Sequence, residues 1–236
     1  MVMNVIKIGG EVVEDPRVFE EFRSLLESML PAAVVFGAGV QISSRLKAED
    51  IPFGFYKGER ITTQDMLMLL DDEFKKMAKK IESMLGDMES VFVHGSEVFS
   101  CVQKSKKLGF VGKIVSVDVS KVKAAAASGT AVLVSPIASS KDESAPGRGE
   151  LYNVNADVSA ARLAAALGSG ELIFCTKVNG VNDSSGNFIE RMDAVKAAEF
   201  ISSGIIAGGM IPKVKSALES IKAGVGSVRI GRTLIK

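Results

Sequence analysis

Cysteine, histidine and unbalanced charge are all scarce in this 236-residue chain. Two cysteines, Cys101 and Cys175, are too few for a disulfide framework. Both lie in apolar runs, which predicts buried thiols in a reducing compartment. The single histidine, His94, has no second histidine and no nearby Cys/Asp cluster to make a metal site, and no Ser/His/Asp set for acyl transfer is present. It follows the apolar run Val91 to Val93 and is assigned a structural role. A formal net charge of +1 removes the electrostatic case for nucleic acid or anionic membranes. No stretch approaches the roughly 18 apolar residues of a membrane span. Met1 to Val13 lacks the basic and apolar regions of a signal peptide. The expected location is the cytoplasm. A Walker A loop is also missing, and GAGVQI at Gly37 carries only two glycines of the dinucleotide fingerprint. Neither a P-loop NTPase nor a Rossmann dehydrogenase is supported.

What is present is an alternation of β-branched runs and amphipathic segments. Val2 to Ile8 reads as a strand stopped by Gly9-Gly10, and Asp15-Pro16 opens a helix whose apolar face is Val18, Phe19, Phe22, Leu25, Leu26 and Met29. Ala32 to Phe36 is the next strand, then a helix from about Gln41 to Ala48. A long helix is predicted over Thr62 to Leu85. Val91 to Val93, Phe110 to Val119 and Thr130 to Ile137 are expected as strands, with a helix over Lys121 to Ala127. Ser139 to Gly149 is polar and turn-rich, and is expected as a mobile loop near a lobe boundary. A helix over Ala156 to Leu167, a strand over Glu171 to Thr176 and a polar turn over Asn182 to Phe188 follow. Asp193 caps a helix that Gly204 ends, Pro212 opens one that Gly224 ends, and Ser227 to Ile230 is the last strand. The alternation predicts an α/β fold with a mainly parallel sheet covered on both faces. Two lobes are expected, 1–150 and 151–236.

Ligands of such sheets bind at the carboxyl ends of the strands. The turns Gly9-Gly10, Gly37-Ala38-Gly39 and Gly208-Gly209 lie there or at helix starts. Each is either a simple tight turn or a place where backbone N–H groups meet an anion. Lys7 is a charge inside an apolar strand, projecting at its end either to water or into a cleft. Lys213 follows Pro212 in a first helical turn, where a cation opposes the helix dipole unless an anion compensates. Asn153, Asn155 and Asp157 alternate before a helix, as ordinary caps or as ligands; Asp157 is placed to pair with two lysines. Arg60, in a polar strand-to-helix passage, suits a bidentate grip on a carboxylate.

Taken together, KIGG at Lys7 to Gly10, VVFGAGVQI at Val34 to Ile42, GERIT at Gly58 to Thr62, FVGKIVSVD at Phe110 to Asp118, YNVNAD at Tyr152 to Asp157 and GGMIPKV at Gly208 to Val214 resemble, in order and spacing, the amino acid kinase family, and within it the N-acetylglutamate kinases. The resemblance implies a three-layer αβα sandwich around about eight strands. It implies transfer of a phosphoryl group from ATP, with Mg2+ carried by the phosphates, to the side-chain carboxylate of N-acetylglutamate in arginine biosynthesis. By the same resemblance, Lys7, Asp157 and Lys213 are catalytic, and Ala38, Gly39, Arg60 and Asn153 hold the substrate. Gly9, Gly10, Thr176, Lys177, Asn179, Gly180 and Gly209 would hold the nucleotide. The N-terminal lobe would take the acyl amino acid and dimerise, and the C-terminal lobe would take ATP. No dedicated metal ligand is expected.

Two positions depart from the family pattern. Ala38 stands where a glycine is usual, and its methyl bears on substrate and turn. Lys177 stands where an aspartate is usual, and bears on nucleotide choice. With no N-terminal helical extension before Lys7 and a short C-terminus, the resemblance implies an arginine-insensitive homodimer. The same residues leave two other readings open: a sibling kinase acting on carrier-linked glutamate or aminoadipate, and a nucleotide- or metabolite-binding protein without catalysis. A carrier would require a basic rim beside Arg60, and the sequence shows no clear one.

Overall fold

The computed structural model describes residues 3–141, 150–178, 180–208 and 210–236. The first half runs β1 (Asn4–Ile8), α1 (Gly10–Val13), α2 (Pro16–Ser28), β2 (Ala32–Phe36), α3 (Gly39–Ala48), β3 (Phe55–Tyr56), β4 (Glu59–Arg60), α4 (Gln64–Leu85) and β5 (Ser90–Val93). Then come β6 (Phe99–Gln103), β7 (Gly112–Val117), α5 (Ser120–Ala125), β8 (Ala131–Val134), β9 (Ile137–Ser140) and β10 (Leu151–Asn153). The chain closes with α6 (Ala156–Leu167), β11 (Glu171–Phe174), β12 (Arg191–Met192), α7 (Ala194–Ser202), α8 (Met210–Lys222), β13 (Ser227–Ile230) and β14 (Thr233–Ile235).

Eight strands form one sheet in the order β12-β14-β13-β11-β1-β2-β8-β5. Every described pairing in it is parallel except β13 with β14. β1 sits in the middle, between β2 of the first half and β11 of the second, so one sheet runs through both halves of the chain. Successive residues of a strand face opposite sides. Met3 and Val5 accordingly join the core under α6 and α8, with Leu163, Val214 and Ala217. Ile6 and Ile8 join the core under α2 and α4, with Phe22, Leu26, Leu70 and Phe74. The result is the three-layer sandwich. A second sheet, β10-β9-β6-β7, and the β3–β4 hairpin lie outside it.

The helix starts follow capping chemistry. Asp15 accepts from Val18 N ahead of Pro16, Thr63 from Met66 N, Asn155 from Asp157 N and Val158 N, and Asp193 from Lys196 N. Several sequence expectations shift. The run Thr130 to Ile137 is two strands in two sheets, because Pro136 cannot donate to a ladder and the chain changes sheet there. The long helix starts at Gln64, since Thr63 is its cap. Pro212 is the third residue of α8 rather than its first. The Phe110 to Val119 run narrows to β7, paired antiparallel with β6. Ser139 and Ser140, expected in the loop, belong to β9; residues 142–149 lie outside the described residues. The short elements α1, β3, β4, β6, β10, β12 and β14 were not anticipated.

Leu133 is fully buried on β8 within the core under α4. Leu133→Ala should cost about 2–5 kcal/mol, read as a lowered urea midpoint at unchanged slope.

Candidate active site

A cleft of about 260 Å³ opens at the carboxyl end of β1 and β2. Three charged residues from distant parts of the chain meet in its wall. Lys7 lies on the α6 side of β1, one strand repeat beyond Val5, where the apolar core gives way to the cleft. α6 packs across β1 and brings Asp157 in its first turn, and α8 packs along α6 with Lys213 in its own. Lys7 Nζ is 2.9 Å from Asp157 Oδ1, and Lys213 Nζ is 3.0 Å from Asp157 Oδ2. Asn155, not Asp157, caps α6, so the aspartate carboxylate is free for both lysines. Lys7 and Asp157 are buried, with side-chain exposures of 8% each. Burial pushes the Asp157 carboxyl up, but the two ammonium groups outweigh that and hold it below its ordinary value of 3.8. The trio keeps a net positive charge facing the cleft. The Asp157 carboxylate, shared between two ammonium groups, compensates the first-turn Lys213 only in part, so the cluster suits a further anion.

Arg60 lines the same cleft. Its guanidinium packs against the rings of Phe53 and Phe55, 4.9 Å from each centroid. Nη2 donates to Gly39 O at 3.2 Å and to Ser43 Oγ at 2.7 Å, whereas buried Nη1 has no partner among the described residues. Burial pulls its pKa down from the ordinary arginine value. A buried N–H without an acceptor is costly, and a ligand carboxylate would satisfy it. Asn153 ends β10, where its Nδ2 donates to Thr62 Oγ1 at 3.2 Å.

The Gly37-Ala38-Gly39 turn also lines the cleft. Ala38 has φ −129°, open to any residue, and its methyl is buried in the core under α4, so the departure from glycine strains nothing. Gly39 begins α3 with bare backbone over open space, and first-turn N–H groups have no intrahelical acceptor. Gly9 and Gly10 line the same cleft. At Gly10 the Gln41 side chain lies against the bare backbone, where its Nε2 donates to Gly10 O at 3.1 Å and ties α3 to α1.

Of the remaining expected nucleotide residues, the described ones, Thr176, Lys177 and Gly180, do not line this cleft. Thr176 borders a separate cavity of about 190 Å³ with Val178 and Arg232. Lys177 is paired with Asp15 at 3.1 Å. Gly180 is buried, and a Cβ there would meet Thr233 and Phe188. Asn179 and Gly209 lie outside the described residues. His94 does not line the cleft; it links Asp71 Oδ1 at 2.6 Å to Ser96 Oγ at 2.7 Å. Cys101 is buried as expected, but Cys175 is only half-buried at the end of β11; burial pushes both thiols up to about 12.

Sequence reasoning missed Ser43, Phe53 and Phe55. Ser43 is four residues after Gly39, hence on the same helical face, and Phe53 and Phe55 alternate with Gly54 before the Lys57-Gly58 turn. A basic rim was also missed. Lys57 and Lys107 place their Nζ atoms 5.6 and 5.7 Å from the Tyr56 ring centre, and Lys104 pairs with Glu59 at 2.6 Å. The loop before β7 is fastened to the hairpin through Thr62 N to Leu108 O, so lysines about fifty residues apart in sequence gather beside Arg60.

Because the Asp157 carboxyl is held below its ordinary value, the unfolded chain takes up the proton first on acidification. Its stabilising contribution is complete above about pH 4 and is lost as the pH falls through the depressed value. Asp157→Asn should flatten this acid limb in thermal melts and, by leaving two ammonium groups without a counter-charge, cost about 3–5 kcal/mol at neutral pH.

The family model described as "Amino acid kinase family" matches residues 3–232. An acetylglutamate kinase of Koribacter versatilis is 34% identical, over 96% of this chain and 88% of the relative. One of Sinorhizobium fredii is 33% identical, over 96% and 82%. Among solved structures, smu.665 from Streptococcus mutans superposes with a TM-score of 0.85 at 25% identity, covering 99% of this chain and 98% of that one. Carbamate kinase from Giardia lamblia bound to AMP-PNP shares the fold, with a TM-score of 0.74 at 13% identity over 99% and 98%. With the match running almost end to end, the chain belongs to the amino acid kinase family.

Proposed function

We propose that this chain transfers the terminal phosphoryl group of ATP to the side-chain carboxylate of N-acetyl-L-glutamate, giving an acyl phosphate for arginine biosynthesis. The observation that carries the reading is the Lys7–Asp157–Lys213 cluster facing a cleft that is also lined by an arginine with a buried N–H without an acceptor among the described residues. The full-length similarity to proteins named acetylglutamate kinase supports the same substrate.

The chemistry asks little of a general base. A carboxylate is ionised near neutral pH and is itself the nucleophile. Catalysis is then positioning plus charge stabilisation. Arg60 would take the α-carboxylate through its fork, and Asn153 the acyl amide. Backbone N–H groups at Ala38 and Gly39 would hold the reacting carboxylate. Lys7 and Lys213 would donate to the equatorial phosphoryl oxygens as the bond to the leaving oxygen breaks, while Asp157 fixes both ammonium groups. Magnesium bound to the phosphates supplies further neutralisation of their charge. Gly9 and Gly10, with Thr176, Lys177, Asn179, Gly180 and Gly209, are proposed for the nucleotide; 1–150 is proposed to take chiefly the acyl amino acid and 151–236 chiefly ATP, with Gly9, Gly10 and Asn153 reaching across that division. Lys177 would exchange Asp15 for a phosphate. We further propose a cytoplasmic homodimer joined through the N-terminal half; Met68, exposed on α4, is a candidate contact. Among the described residues no helix is long and apolar enough to cross a membrane.

The rim of Lys57, Lys104 and Lys107 favours one alternative, a glutamate or aminoadipate presented on an acidic carrier protein. A coupled ADP-release assay separates the two. Turnover of free N-acetylglutamate is expected, and its absence, with turnover of the carrier-linked acid, would replace the first reading by the second.

Lys7→Ala should lower kcat by about 10²–10³-fold with the fold intact by circular dichroism; unchanged turnover would remove the role assigned to Lys7 and favour a binding protein. Arg60→Lys keeps the charge but loses the fork, and should raise the KM for the acyl amino acid by about ten- to a hundredfold with a smaller change in kcat.

A further inference from the structure

The acid side chains lining the cleft are Glu11, Glu59 and Asp157. Two of them are engaged. Glu59 is held by Lys104, and Asp157 by Lys7 and Lys213. Glu11 has no ion pair or hydrogen bond from its carboxylate to any described residue. That carboxylate lies directly over the bare backbone of Gly9: a Cβ built there would stand 2.1 Å from Glu11 Oε2 and 2.3 Å from Oε1. A free carboxylate thus occupies the glycine turn proposed to meet the donor phosphates.

This placement has an electrostatic consequence. The formal charges of Lys7, Lys213, Asp157 and Glu11 cancel, so these four groups offer a polyphosphate no net attraction, and Glu11 repels it at close range. A divalent cation reverses that sign. Magnesium in phosphotransfer sites is commonly held by one or two carboxylates together with substrate phosphates and water. Asp157 is committed to two lysines, so Glu11 is the cleft carboxylate with lone pairs to give.

We infer that Glu11 ligates the divalent cation carried by the donor nucleotide, directly or through one bound water, and makes donor binding conditional on that cation. The inference rests on the kinase reading and adds a residue that none of its assigned roles includes. Glu11 is half-buried at the cleft wall, and its flexible side chain can leave Gly9 to follow an entering metal–nucleotide complex. The metal and the carboxylate are then thermodynamically coupled, each strengthening the binding of the other.

The test is calorimetric titration of ATP into the full chain, with Mg2+ in excess and again with EDTA, for wild type and Glu11→Gln. Wild type is expected to prefer the magnesium complex. Glu11→Gln should shrink the ratio of the two dissociation constants by about tenfold, weakening magnesium-bound ATP and tightening the metal-free form. A ratio unchanged by Glu11→Gln overturns the inference and leaves the kinase reading standing. Failure of wild type to bind ATP in either condition overturns both. As a second readout in unmutated protein, Mn2+ with ATP should broaden the 13C-carboxylate signal of Glu11 far more than that of Glu59; equal broadening would count against ligation.

Discussion

Two ammonium groups sharing one buried carboxylate are the constraint around which this molecule is built. Lys7, Asp157 and Lys213 come from a central strand and two helices far apart in sequence. Charges withdrawn from water are tolerated only when paired. The pairing therefore fixes how α6 crosses β1 and how α8 lies along α6. Within the trio it also leaves one positive charge at the open end of the sheet, where strand ends and helix starts converge and which the nearby Glu11 carboxylate offsets until a cation engages it. Fold and chemistry meet at that point, because the ionic contacts that orient the layers also prepare the pocket for an anion.

The cleft carries two cationic features. One is the lysine pair. The other is a guanidinium packed against two phenylalanine rings, with a buried Nη1 that has no acceptor among the described residues. A ligand that satisfies both carries two anionic groups, as a dicarboxylic amino acid derivative meeting a phosphoryl donor does. The aromatic clamp and Ser43 hold Arg60 in place before a ligand arrives, so little ordering remains to be done on binding.

Much of this was legible in the sequence where a residue contradicted its local surroundings. Lys7 breaks an apolar strand and Lys213 opposes a helix dipole, and both conflicts resolve at the same carboxylate. Asp157 was legible only through its neighbour, since Asn155 takes the capping role that would otherwise have explained the aspartate away. What escaped was set by contacts distant in sequence. Nothing in Thr130 to Ile137 except Pro136 signals that the chain changes sheets. β12 and β14 are too short to show a period, and exist because each pairs with a neighbour. The rim of Lys57, Lys104 and Lys107 appears only after the loop before β7 is tied to the hairpin. Of the expected nucleotide residues, Gly9 and Gly10 line the main cleft, while Lys177 is held by Asp15 and Gly180 is packed against β14.

The account's central claim is that both ammonium groups act on one phosphoryl group while Asp157 orients them. A crystal structure with ADP, Mg2+, aluminium fluoride and N-acetylglutamate tests it most directly. The account predicts Lys7 Nζ and Lys213 Nζ each within about 3 Å of the fluoride plane, with Asp157 still bridging them and the substrate carboxylate in line with the leaving oxygen. A phosphoryl mimic bound away from either lysine would contradict it.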